Sequence, residues 1–121
     1  MTCLVLGSTL WAQEEKKPQQ PPEEDEAYAP KEYAFNPIQA HKELKIGNFY
    51  FKKGNYRAAA SRYREATKWN QQYAEAYRRL GEALEKWKDL DAARNAYQKY
   101  VELEPDSKQA KEIRKKLAGK S

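Results

Sequence analysis

Residues 40–59 read AHKELKIGNFYFKKGNYRAA, and residues 74–93, which lie 34 positions further on, read AEAYRRLGEALEKWKDLDAA. The shift superposes residues of the same kind, among them Ile46 on Leu80, Gly47 on Gly81, Tyr50 on Leu84, Asn55 on Asp89 and Tyr63 on Tyr97. A fixed period with matching chemistry is typical of a stacked array of helical units. These two stretches therefore decide the fold class.

Each copy predicts a hairpin of two helices. The first helix of the first copy is expected to show one broad apolar face, made of Leu44, Ile46, Phe49 and Tyr50. Glycine within a helix costs about 1 kcal/mol relative to alanine. Because Gly47 and Gly81 fall inside the first helices, we expect the second helices to approach closely there, through Ala59 and Ala93.

Local end signals agree with this division. Asn36 precedes Pro37, the usual order of an N-cap and a first helical residue. Gly54 is expected to end a helix, and Asn55 and Asp89 to cap the two that follow. Residues Pro105-Asp106-Ser107 predict a break before a last helix, with Ala110, Ile113 and Leu117 on one face. The prediction is an all-α solenoid of five helices: two hairpins, at about 40–73 and 74–107, and a capping helix at about 107–117, within a domain spanning 36–119.

The repeat resembles the tetratricopeptide repeat family. The resemblance rests on the period, on the Ile46-Gly47 and Leu80-Gly81 pairs, on the alanines of each second helix and on Glu104-Pro105. It implies a protein-interaction module without enzymatic activity, whose first helices line a concave groove that takes a peptide or a helix. The chain departs from the pattern at Lys88, where glycine is usual.

The resemblance also implies the residues of that groove: His41, Leu44, Asn48, Phe51 and Lys52 in the first repeat, and Arg78, Glu82, Glu85 and Lys86 in the second. We expect Leu44 and Phe51 to face outward and to form an apolar anchor pocket. Family members that grip a chaperone's terminal carboxylate use lysine, arginine and asparagine side chains across three repeats. Of that set only Asn48 is matched here, so this activity is not carried over.

The first 35 residues differ in character from the repeats. Residues 3–12 are apolar and are followed by Gln13, which resembles a secretory signal, although no lysine or arginine precedes them. A coding sequence that began further upstream would explain the missing charge. Residues 13–35 are rich in proline and acid, and predict a disordered linker. We therefore expect a periplasmic or secreted protein of the bacterial cell envelope, with a cytoplasmic one as the alternative.

A second, shorter resemblance points to the same compartment. Residues 49–59 are similar to a stretch of the lipoprotein subunit that helps to insert outer-membrane β-barrels. Within the linker, Tyr28, Tyr33 and Phe35 are the large apolar side chains. One hypothesis is that they fold back onto Leu44 and Phe51 and compete with partners.

Two other functions remain open, one suggested by charge and one by the number of repeats. Residues 1–39 carry a net charge of −4 and residues 40–121 one of +9. A basic domain can bind nucleic acid or an anionic surface, but here acids alternate with bases along the sequence, which disfavours nucleic acid. Self-association is the other alternative, because two repeats are fewer than the three or so that such arrays usually need.

Nothing in the sequence predicts a catalytic site, a metal site or a bound cofactor. His41 is the only histidine and Cys3 the only cysteine, and no glycine-rich phosphate loop or metal-ligand spacing occurs. Ser61 and Ser107 have no histidine near them in sequence that could complete a catalytic group with an acid. The expected partner is a protein or a peptide.

Overall fold

The computed structural model of the chain describes residues 32–119, and the helices lie in the compact unit that starts at Tyr33. Within that range the chain forms five α-helices and no strand: α1 Pro37–Lys52, α2 Tyr56–Trp69, α3 Ala74–Trp87, α4 Leu90–Leu103 and α5 Lys108–Ala118. Helices α1 and α2 form one hairpin, α3 and α4 the second, α2 packs on α3, and α5 packs on α4. The predicted all-α array of two hairpins and a terminal helix is confirmed.

Four of the five described helices begin at a side-chain cap, whereas α3 has none. Asn36 accepts a hydrogen bond from the amide of Gln39, with Pro37 as the first helical residue. Asn55 and Asp89 accept the same kind of bond at the starts of α2 and α4, from the amides of Ala58 and Ala92. These bonds satisfy amides that have no partner inside the helix, and each contributes about 1 kcal/mol.

The turns inside the two hairpins need a left-handed residue. Gly54 has φ +80°, and at the equivalent point Lys88 has φ 74°. Glycine adopts this conformation without a steric penalty, whereas a lysine has a Cβ that crowds the backbone. The departure from the family pattern at Lys88 is therefore a point of local backbone strain.

Each hairpin is closed by a glycine that receives a tyrosine ring. A Cβ built on Gly47 would lie 2.6 Å from Cε1 of Tyr63, and one built on Gly81 would lie 2.6 Å from Cδ1 of Tyr97. Both tyrosines are buried. The predicted close approach of the second helix is confirmed, but the side chains that meet the glycines are these tyrosines rather than Ala59 and Ala93.

Helix α1 does not have the predicted apolar face. Its buried residues are Ala40, Glu43, Leu44 and Gly47. Ile46 and Phe49 point into solvent, with 36% and 54% of their surface exposed. The apolar side chains of α1 are distributed around the helix, so their positions in sequence did not determine which of them would meet α2.

The chain just before α1 packs on α2. Tyr33 donates to both carboxylate oxygens of Glu65 at 3.0 Å, and its ring meets that of Trp69 edge-on at 4.8 Å. The packed part of the chain thus starts inside the range 13–35 that the sequence assigns to a linker. The hypothesis that Tyr33 and Phe35 cover Leu44 and Phe51 is wrong, because Tyr33 lies on α2 and Phe35 is exposed. Tyr28, the signal-like residues 3–12 and the rest of the linker lie outside the described residues.

Membrane insertion through a helix finds no support in the part of the chain that the structure describes. Each of the helices between residues 37 and 118 is too short or too polar to cross a bilayer.

Candidate functional site

The first helices of the two hairpins, α1 and α3, are joined by a polar network. Asn48 on α1 accepts from the hydroxyl of Tyr63 at 2.6 Å and from Nε and Nη2 of Arg79 at 3.3 and 3.2 Å. Arg79 in turn pairs with Glu82 one turn further along α3. Asn48 therefore connects both repeats, and its amide oxygen is fully used by internal donors.

Arg78 extends the network along α3. It donates to both oxygens of Glu75, at 2.8 Å for the shortest contact, and to Glu82 at 2.9 Å. Burial alone would lower its pKa, but the hydrogen bonds and negative charges of the two glutamates outweigh burial and raise it. Since a bidentate arginine is held in one geometry, this surface is organised before any partner arrives.

Phe51 is covered by its neighbours rather than left open. The guanidinium of Arg79 lies 4.6 Å from the centre of the Phe51 ring, and Tyr56 contacts the ring edge-on at 5.1 Å. Leu44 belongs to the core, with 7% of its surface exposed. The prediction that Leu44 and Phe51 form an outward anchor pocket is therefore wrong for Leu44, and Phe51 offers only part of its ring.

A second polar cluster joins α3, α4 and α5. Glu85 accepts from the Tyr97 hydroxyl at 2.8 Å and from Nζ of Lys116 at 2.9 Å. Burial would raise the pKa of Glu85, but its bonds to Lys116 and Tyr97 prevail and lower it. Burial and the bond to Glu85 raise the pKa of Tyr97. This cluster ties the terminal helix to the second repeat.

An open depression of about 520 Å³ lies between these two networks. Its lining comes from α1, α3, α5 and the turn after α3: Phe51, Glu82, Glu85, Lys86, Lys88 and Lys116. A smaller hollow of about 120 Å³ adjoins it, lined by Arg78, Glu82 and Lys116 among others. We call the larger one the groove depression.

The structure brings together only part of the predicted groove. Four of the predicted residues line the groove depression: Phe51, Glu82, Glu85 and Lys86. Arg78 lines the adjoining hollow, and Asn48 is linked to both repeats through Arg79. His41 and Lys52 are exposed on α1, and the His41 ring nitrogen Nδ1 lies 3.1 Å from the Tyr73 hydroxyl.

Sequence reasoning missed Arg79, Lys88 and Lys116. Arg79 adjoins Arg78, and the spacing of three residues to Glu82 is the signal that could have placed it on the same surface. Lys116 belongs to α5, and its distance from Glu85 depends on how that helix packs. No local pattern could have joined these two residues, which are 31 positions apart.

The fold and this surface define a helical-repeat protein with a polar, pre-organised face across its first helices. A family model described as "Tetratricopeptide repeat" matches residues 44–108, which is more than half of the chain. The chain belongs to the tetratricopeptide repeat family, whose members are generally interaction modules without enzymatic activity, and no catalytic family is indicated.

Two other comparisons accompany this result. A comparison with curated proteins finds no match. Among solved structures, the chain is similar to the first tetratricopeptide repeat domain of Spaghetti (RPAP3) bound to the HSP90 peptide SRMEEVD, with 22% identity. The match covers 69% of this chain and 97% of that one, with a TM-score of 0.34. A likeness this distant does not bear on what the present chain binds.

Proposed function

We propose that the protein is an interaction module whose groove depression binds an extended segment of another protein. The observation that carries the proposal is that one depression gathers Phe51 from the first repeat and Glu82, Glu85 and Lys86 from the second. Its open shape and volume of about 520 Å³ suit a few side chains of a peptide better than a small cofactor held on all sides.

The charges of the groove depression favour an acidic segment. Glu82 is engaged by two arginines, and Glu85 by Lys116 and Tyr97. Lys86 and Lys88 are exposed and form no ion pair within residues 32–119. The acids of the groove depression are therefore already paired with cations of the protein. Lys86 and Lys88 remain available to pair with carboxylates of the partner. The exposed part of the Phe51 ring would contact an apolar side chain beside them.

The test uses the full chain and a labelled peptide array that varies acidic content, followed by binding isotherms for the best acidic peptide. Lys86→Glu should weaken that peptide at least tenfold, since it replaces an attraction by a repulsion at the centre of the site. Lys111→Glu is the matched control, because Lys111 is exposed on α5 and does not line the groove depression. Equal affinity of the Lys86→Glu and Lys111→Glu variants would refute the proposal.

The chaperone peptide named for the similar solved structure is not proposed as a ligand. Positions where the family's carboxylate grip would need basic side chains hold Leu44, Gln109 and Ile113. Leu44 and Ile113 are buried in the core. If acidic side chains of the peptide are recognised, Lys86→Glu should weaken its binding. Amidation of the peptide's C-terminus should leave the affinity unchanged, because the terminal carboxylate is not recognised.

We also propose that the protein acts in the bacterial cell envelope. The support is the apolar run at residues 3–12, which is followed by polar residues. Cell fractionation with mass analysis of the mature N-terminus tests this. A protein that keeps residues 1–12 and stays in the cytoplasmic fraction would refute it.

A further inference from the structure

The first hairpin carries a strong excess of positive charge. Residues 36–70 contain eight lysines and arginines but only two acids, Glu43 and Glu65. Glu43 is buried and pairs with Arg62 at 3.0 Å, and Glu65 accepts from Tyr33 and lies near Lys68. Six exposed cations have no ion pair within the described residues: Lys42, Lys45, Lys52, Lys53, Arg57 and Arg64. The alternation of acids and bases noted along the sequence therefore does not extend to the surface of this hairpin.

The second hairpin is a contrast. Residues 74–103 contain six bases and six acids, and several of them pair along α3. The positive charge of the domain is thus concentrated at the N-terminal end of the array and on α5, not spread over it.

Apolar side chains lie among the cations of the first hairpin. Successive residues of an α-helix turn by about 100°. By that measure Ile38, Lys42, Lys45, Ile46 and Phe49 share a sector of about 100° on α1, opposite the buried Ala40 and Gly47. Ile38 is 71% exposed and Phe49 54%. We call these five residues the outer face of α1.

The exposed surfaces of the first and last described helices, α1 and α5, differ in composition. At the C-terminal end α5 turns Ala110 and Ile113 inward and exposes charged side chains such as Lys111 and Glu112. This is the polar coat that a terminal unit of a repeat array needs. The outer face of α1 has no such coat, because large apolar groups are exposed on it.

We propose that the outer face of α1 docks an acidic amphipathic helix of a partner protein, which packs alongside α1 and extends the array by one helix. An exposed helix offers ridges and grooves along its length, which another helix can fill. Carboxylates flanking the partner's apolar stripe would pair with Lys42 and Lys45, while the stripe itself covers Ile38, Ile46 and Phe49.

Charge and shape decide between this occupant and the others. Two copies of this chain meeting through α1 would oppose lysine to lysine, which is destabilising. Nucleic acid could use the lysines through its phosphates, but it offers nothing apolar to Ile38 and Ile46. Around the axis of α1, Lys42 lies between Ile38 and Ile46. If these two isoleucines inserted into a bilayer, the charged Lys42 would have to enter the apolar interior with them, which disfavours a lipid surface.

The test uses the full chain and a synthetic helical peptide of about 18 residues, with leucines at helical spacing and glutamates on both flanks. The acidic peptide should bind at least tenfold more tightly than the same peptide with lysines in place of the glutamates. Phe49→Glu and, separately, Ile38→Glu should each lower its affinity at least tenfold, with helicity checked by circular dichroism. Leu90→Glu is the matched control, because Leu90 is 57% exposed on the second hairpin.

Four results would overturn the proposal. The first two are that the acidic peptide does not bind at millimolar concentration, or that the acidic and basic peptides bind equally well. The third is that Phe49→Glu and Leu90→Glu lower the affinity for the acidic peptide equally. The fourth is that sedimentation shows a dimer that Phe49→Glu dissociates. Saturable binding to phosphatidylglycerol vesicles that Phe49→Glu abolishes, together with no binding of the acidic peptide, would instead assign the face to a lipid surface. Lys86→Glu should not affect this peptide, which separates the outcome from that of the groove depression.

Discussion

The tightest packing in the protein makes a quantitative prediction about Gly81. A methyl group added there would lie 2.6 Å from two carbons of the Tyr97 ring, far inside normal contact distance. The ring cannot retreat freely, because Tyr97 is buried and its hydroxyl donates to Glu85 at 2.8 Å. We therefore expect Gly81→Ala to displace the ring and strain or break that bond.

The expected magnitude follows from three terms. Overpacking of a core costs about 1–3 kcal/mol, and loss of a hydrogen bond to a charged group costs about 1.5–3 kcal/mol. The gain in helix propensity from glycine to alanine returns about 1 kcal/mol. The net loss in the free energy of unfolding should be about 1.5–5 kcal/mol. For a domain of this size that lowers Tm by at least about 6 °C.

A double-mutant cycle isolates the cause. Tyr97→Leu removes the ring, so in that background Gly81→Ala should be neutral or stabilising by up to about 1 kcal/mol, the propensity term alone. Urea unfolding followed by circular dichroism measures both values. If Gly81→Ala costs the same in the two backgrounds, the ring is not what excludes the methyl group and the packing argument fails.

Three further predictions concern strain and titration. Lys88→Gly should stabilise the protein by about 1 kcal/mol, because it removes the strain of a left-handed backbone at a residue with a Cβ. Gly54→Ala should destabilise it for the same reason. Thermal melts that show the same Tm for the two variants would contradict this. Burial and the hydrogen bond to Glu65 raise the pKa of Tyr33 to about 12, so its ultraviolet titration should fall towards 10 in Glu65→Gln, and an unchanged titration would show that Glu65 has no effect. The pKa of Glu85 is lowered in the folded state, so its stabilising bonds should persist above its ordinary pKa of about 4.5 and be lost as pH falls through the folded value. Glu85→Gln should abolish that acid-dependent loosening of α5 in amide exchange, and its persistence would refute the assignment.

The sequence determined the elements of this protein because their signals are local. Caps such as Asn36 and Asp89 act within three residues, and the 34-residue period repeats the same small and apolar positions. Gly47 and Gly81 predicted a close contact between helices, because glycine destabilises a helix and its presence there suggests that a neighbouring group occupies the space of a side chain. The number of helices, their order and the family all followed from these features.

Only the tertiary structure decided which surfaces are open. Helix α1 has apolar residues on several sides, so its sequence could not determine that Leu44 would be buried and Phe49 exposed. That choice depends on where α2 and α3 pack against it. The excess of bases in residues 36–70 is a property of the sequence, but packing decided that Glu43 would be buried against Arg62 while Lys42 and Lys45 stay exposed. The pairing of charges and the shape of the groove arise from contacts between helices, which is why they could not be deduced from one repeat at a time.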